Sequence, residues 1–104
     1  MTKKINATEL PDYDMAEYLK TEEDVANYLT LVLGENDPTE LTHALGTIAR
    51  ARGMTEVGRA SGLTRDALYK ALRPTSQPRF DTIARVCTAL GVKLVVQPTQ
   101  ATRL

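Results

Sequence analysis

Residues 54–72, MTEVGRASGLTRDALYKAL, constrain this chain more than any other stretch, because they set a small residue, a turn residue and a helix cap at fixed spacing within an apolar pattern. Two helices that cross closely need a small residue inside the first and a residue tolerant of a left-handed backbone between them. Gly58 and Gly62 take those places, with Val57 as the apolar anchor. Leu63 then returns to the core, Thr64 caps the second helix, and Leu68 with Ala71 or Leu72 forms its inner face. This spacing predicts a helix-turn-helix, a unit that lays its second helix in the major groove of DNA.

With those positions inward, the helical period turns Arg65, Asp66, Tyr69 and Lys70 to or beside the outer face, with Arg65 and Asp66 in the first turn. Arg65 has the reach for two parallel hydrogen bonds to O6 and N7 of guanine. Asp66 either accepts from a cytosine amine or orients Arg65. Tyr69 suits a sugar or methyl group, and Thr64 heads the same predicted interface. Arg59, Lys70, Arg73 and Arg79 are phosphate candidates, which position a protein without selecting a sequence.

Formal net charge is zero, a poor balance for a polyanion binder, but it hides a division. Residues 1–52 carry ten Asp and Glu against five Lys and Arg, whereas residues 53–104 carry eight Lys and Arg against Glu56, Asp66 and Asp81. The second half suits phosphates, and the acidic helices around 14–40 suit a basic protein. The length of 104 residues fits one domain. Cys87 is the only cysteine, which excludes an internal disulfide, and no Cys/His cluster offers a metal site. No cofactor is expected. The lone His43 lies beside an apolar stripe with no second ligand or nucleophile and reads as an ordinary helical residue; with no phosphate-binding loop either, an enzyme is not expected. No long apolar segment suggests a signal or a membrane span, so a cytoplasmic protein without membrane contact is expected.

Along the chain, residues 1–12 read as a flexible arm closed by Pro11, followed by one domain over 13–96 and a flexible tail over 97–104. A short helix is expected from Met15 to about Lys20. Thr21 caps the next, with Asp24 completing a capping box, and Val25, Leu29, Val32 and Leu33 form its buried stripe. Asp37-Pro38-Thr39-Glu40 opens a third helix that buries Leu41, Leu45, Ile48 and Ala49 and closes at Gly53. After the connector 73–78, a last helix runs from Phe80 or Asp81 to Leu90, with Ile83, Val86, Cys87 and Leu90 inward. Val92, Leu94 and Val96 alternate as in a strand over 92–96. A lone strand needs a partner, and a second subunit of a homodimer is the nearest one.

The run LGTIARARGMTEVGRASGLTRDALYKALRPTSQPRFDTIARVCTALGVKL at 45–94, with DYDMAEYLKTEEDVANYL at 12–29, resembles the addiction-module antidote family, HigA-like antitoxins with a lambda-repressor-like, XRE-type domain. The amino-terminal segment together with the IARARGMT and PRFDTI runs carries the resemblance more specifically than the turn motif. It implies an all-α fold of about five to six helices, with the short carboxy-terminal β-strand paired across a dimer. It further implies an antitoxin of a type II module that neutralises a RelE-like or HigB-like toxin and represses its own operon by binding double-stranded operator DNA. The chain departs from the wider repressor pattern in having only Thr55 and Glu56 before Val57, without the usual opening Gln. The competing expectation is a stand-alone transcriptional regulator with no toxin partner.

Overall fold

A computed structural model describes residues 17–73 and 75–99. Among them are five helices: α1 (Glu22–Leu33), α2 (Pro38–Arg52), α3 (Met54–Ser61), α4 (Arg65–Ala71) and α5 (Phe80–Ala89). The expected arm 1–12 lies outside the described residues, as does the start of the expected helix at Met15, of which Glu17 and Tyr18 are seen to be helical.

Local chemistry sets the helix starts. The Thr21 hydroxyl accepts from the Asp24 amide at 3.1 Å while Asp24 Oδ2 accepts from the Thr21 amide at 3.1 Å, so two amides that the helix leaves without partners are satisfied reciprocally. Glu22, Glu23 and Asp24 add negative charge where the dipole of α1 is positive. At α2, Asp37 Oδ1 accepts from the Thr39 amide at 3.0 Å and Pro38 fills the first turn, where its missing N–H costs nothing.

α2 is the centre of the fold. It is buried without a break from Ala44 to Ala49, since α1 packs against it on one side and α3 on another. Val25, Tyr28 and Leu29 of α1, Leu68 of α4 and Ile83, Val86, Cys87 and Leu90 at the end of the chain complete one core. Burial raises the pKa of the Cys87 thiol, as expected of a cysteine serving as a small apolar residue.

One expectation needs correction. Leu33 does not belong to the buried stripe: it ends α1 and is 42% exposed, and Tyr28 takes the inward place instead. Residues 92–96 pair with no strand of their own chain, since among the described residues no strand occurs. The alternation there coincides with partial burial of Val92 and Leu94 against the core of their own chain. Gln97, Pro98 and Thr99, expected to begin a tail, line a groove with α1.

Candidate nucleic-acid interface

α3 and α4 are short, eight and seven residues, and a turn of Gly62, Leu63 and Thr64 joins them. Gly62 has φ +78°, a backbone that a side chain with a Cβ adopts at a cost. At Gly58 the reason is space, since a Cβ there would lie 3.1 Å from the Leu63 carbonyl oxygen and 3.8 Å from the Arg65 amide nitrogen. The Leu63 amide donates to the Gly58 carbonyl at 3.1 Å, so the chain folds back onto the glycine itself. Thr64 Oγ1 accepts from the Ala67 amide at 3.0 Å and starts α4. Both glycines and the cap therefore act as their spacing predicts. The opening of α3 has no such device: Gly53 precedes it without a side-chain cap, in keeping with the shortened first helix.

Leu68 and Leu72 are buried, which leaves Arg65, Asp66, Tyr69 and Lys70 outward. Arg65 and Tyr69, one turn apart, interact: the guanidinium lies 5.5 Å from the ring centroid and its Nη2 donates to the phenol oxygen at 3.5 Å. Asp66 pairs with Lys70 instead, at 3.8 Å. The residue beside Arg65 that orients it is Tyr69, the less expected of the two.

Arg59 sits 3.2 Å from Glu56, and Arg79 Nε 3.3 Å from Asp81 Oδ1. All these pairs are exposed, and exposed ion pairs contribute about 0–1 kcal/mol each. Their carboxylates are therefore easily exchanged for phosphates. Arg73 is exposed beyond α4. Sequence reasoning passed over Arg85, an exposed residue of α5 whose Nη1 lies 4.0 Å from where a Cβ on Gly62 would stand. Only the packing of α5 on α3 brings it to the turn. Of the residues expected to pair two subunits, Val92 and Leu94 turn inward and Val96 is 97% exposed.

Residues 9–98 match the family model described as probable addiction module antidote protein. The chain belongs to that family. A member-like relative, an uncharacterized protein of Haemophilus influenzae, is 43% identical over 89 residues, which are 86% of this chain and 92% of the relative. No solved structure gives a significant match. Membership in an antidote family implies a toxin partner of unspecified type. Among the described residues, no helix is long and apolar enough to cross a membrane.

Proposed function

We propose that this antidote is a HigA-like antitoxin of a type II module, which neutralises a RelE-like or HigB-like toxin and represses its own operon through an XRE-type helix-turn-helix. The observation that carries the DNA reading is the close pass of α3 over the start of α4 at Gly58, combined with an outer face on which Arg59, Arg65 and Lys70 are exposed. In this reading α4 enters the major groove, Arg65 reads guanine while Tyr69 holds its guanidinium, and Arg59, Lys70, Arg73 and Arg79 meet phosphates. The protein acts in the cytoplasm by binding, with no turnover of its own.

A homodimer belongs to the same reading, because paired half-sites require two copies. With Val92 and Leu94 committed to their own core, Val96 is the residue of that trio left to meet a second copy. The test is fluorescence anisotropy with the DNA upstream of the gene and a scrambled duplex, over a salt series. Arg65→Ala is expected to lower the preference for the specific duplex by about 1–3 kcal/mol. Lys70→Ala and Arg73→Ala are expected to weaken both duplexes alike and to reduce the salt slope by about one ion each. Equal binding of both duplexes by the wild type refutes sequence-specific repression.

A further inference from the structure

A groove of about 450 Å³ opens between α1 and the segment 92–99, and no residue of α3 or α4 lines it. Its apolar lining comes from Ala26, Leu29 and Leu33 on α1 and from Val92, Leu94 and Val95 opposite. Leu33 and Val95 stand at its lip, 42% and 67% exposed. Leu29 belongs to the core and Val92 and Leu94 pack partly on it, so Leu33 and Val95 are the large apolar side chains left in water here, a feature of binding surfaces rather than of a finished core.

The charge around it identifies the occupant. From Thr21 to Ala49 there is no Lys or Arg, while Glu22, Glu23, Asp24, Glu35, Asp37 and Glu40 fall in that stretch. Glu22 lies against Gly91, where the chain leaves α5 to become the groove wall, and a Cβ at that glycine would collide with its side chain. Glu35 sits between the lining residues Gly34 and Asn36 at the other end of α1. Glu22 and Glu23 form no ion pair among the described residues. Lys93 is the single cation of the lining. The lining itself holds no carboxylate, but Glu22, one turn before Ala26 on α1, and Glu35, next to Gly34 and Asn36, flank it in sequence, which suits a protein surface that presents apolar side chains beside Lys and Arg. Nucleic acid would be repelled here.

We propose that this groove is the docking site for the toxin, a cationic protein whose apolar side chains enter between Leu33 and Val95 while its Lys or Arg side chains meet the acidic first turn of α1 at Glu22 and Glu23. The inference rests on the antidote reading and adds the surface and the chemistry of the partner. Val96 does not line the groove, so contact with a second copy through Val96 is a separate matter.

The experiment is titration calorimetry of the full chain against the purified product of the adjacent gene. Leu33→Arg, Val95→Arg and the double change Glu22→Lys with Glu23→Lys are each expected to weaken the complex at least about tenfold. Thr88→Ala, on the exposed face of α5, is expected to leave it unchanged. Circular dichroism checks folding, and Val95→Arg, on a segment without regular structure, keeps the test valid if Leu33→Arg unfolds. Unchanged affinity in all the groove variants overturns the docking site and leaves the antidote reading intact. Groove variants that bind the toxin normally but lose self-association in ultracentrifugation also overturn it, because the occupant is then a second copy. Absence of any complex with the wild type overturns the antidote reading, and the inference with it.

Discussion

The α1 region and the α3–α4 region are built with the same device, a threonine cap, and use charge in opposite ways. Around α3 and α4, Arg59 and Lys70 already rest on carboxylates of their own chain, as Arg79 does at the start of α5. Such a surface is nearly balanced until a stronger anion displaces the internal one. Around α1, Glu22 and Glu23 have no such cations among the described residues. The first region holds its attraction in reserve, while the second displays it. A net charge of zero for the whole chain therefore says nothing about what either surface attracts.

Four substitutions and one labelling measurement test how separate the two regions are. The largest effect is expected at Leu45, which is fully buried in α2 between the two regions. Leu45→Ala should lower stability by about 2–5 kcal/mol in one cooperative urea transition followed by circular dichroism. Two separate transitions would mean that the regions fold independently, contrary to a core they share. Next comes Gly58→Val, which adds a branched side chain where even a Cβ would lie 3.1 Å from the Leu63 carbonyl oxygen. A loss of about 1–3 kcal/mol is expected, with DNA binding damaged and toxin binding retained. If both activities fell together at a temperature where the variant is folded, the two surfaces would not be separable.

The caps give a smaller and more direct contrast. Thr21→Ala and Thr64→Ala should each cost about 1 kcal/mol, and Thr21→Ala the less, because Asp24 Oδ2 still accepts from the backbone amide of residue 21. A greater loss at Thr21, read from denaturant midpoints, would reverse that ranking. The smallest energetic effect belongs to Cys87. Its raised pKa means that folding favours the neutral thiol; the contribution to stability is present below the ordinary thiol range and is lost as pH rises through the folded value. Labelling by a thiol reagent at mildly alkaline pH should be slow in the folded protein and fast in denaturant. Rapid labelling of the folded chain would place Cys87 outside the core.

Features that depend on near neighbours in sequence were legible. The caps at Thr21, Asp37 and Thr64 and the glycines at 58 and 62 each answer a requirement settled within a few residues, and each lies where the spacing placed it. Leu33 was misread because periodicity defines a helix face without saying where the core beneath it stops. The alternation at 92–96 does not by itself specify a strand, because a two-residue alternation results equally from pairing with another strand and from leaning on the core of the same chain. Arg65 and Tyr69, four residues apart on α4, form a contact that the helical period alone suggests. Arg85 beside Gly62 could not be read in the same way, since the neighbours are 23 positions apart and meet only through packing of α5 on α3.

The wall of the groove continues directly from α5, and α5 braces α3. A guest that wedges residues 92–99 away from α1 therefore pulls on the same rod that steadies the turn at Gly62. Should such a pull alter the grip on an operator by some factor, thermodynamic reciprocity requires that the operator alter the grip on the guest by that same factor. The two surfaces would then report each other's occupancy through a single length of backbone, with no residue shared between them.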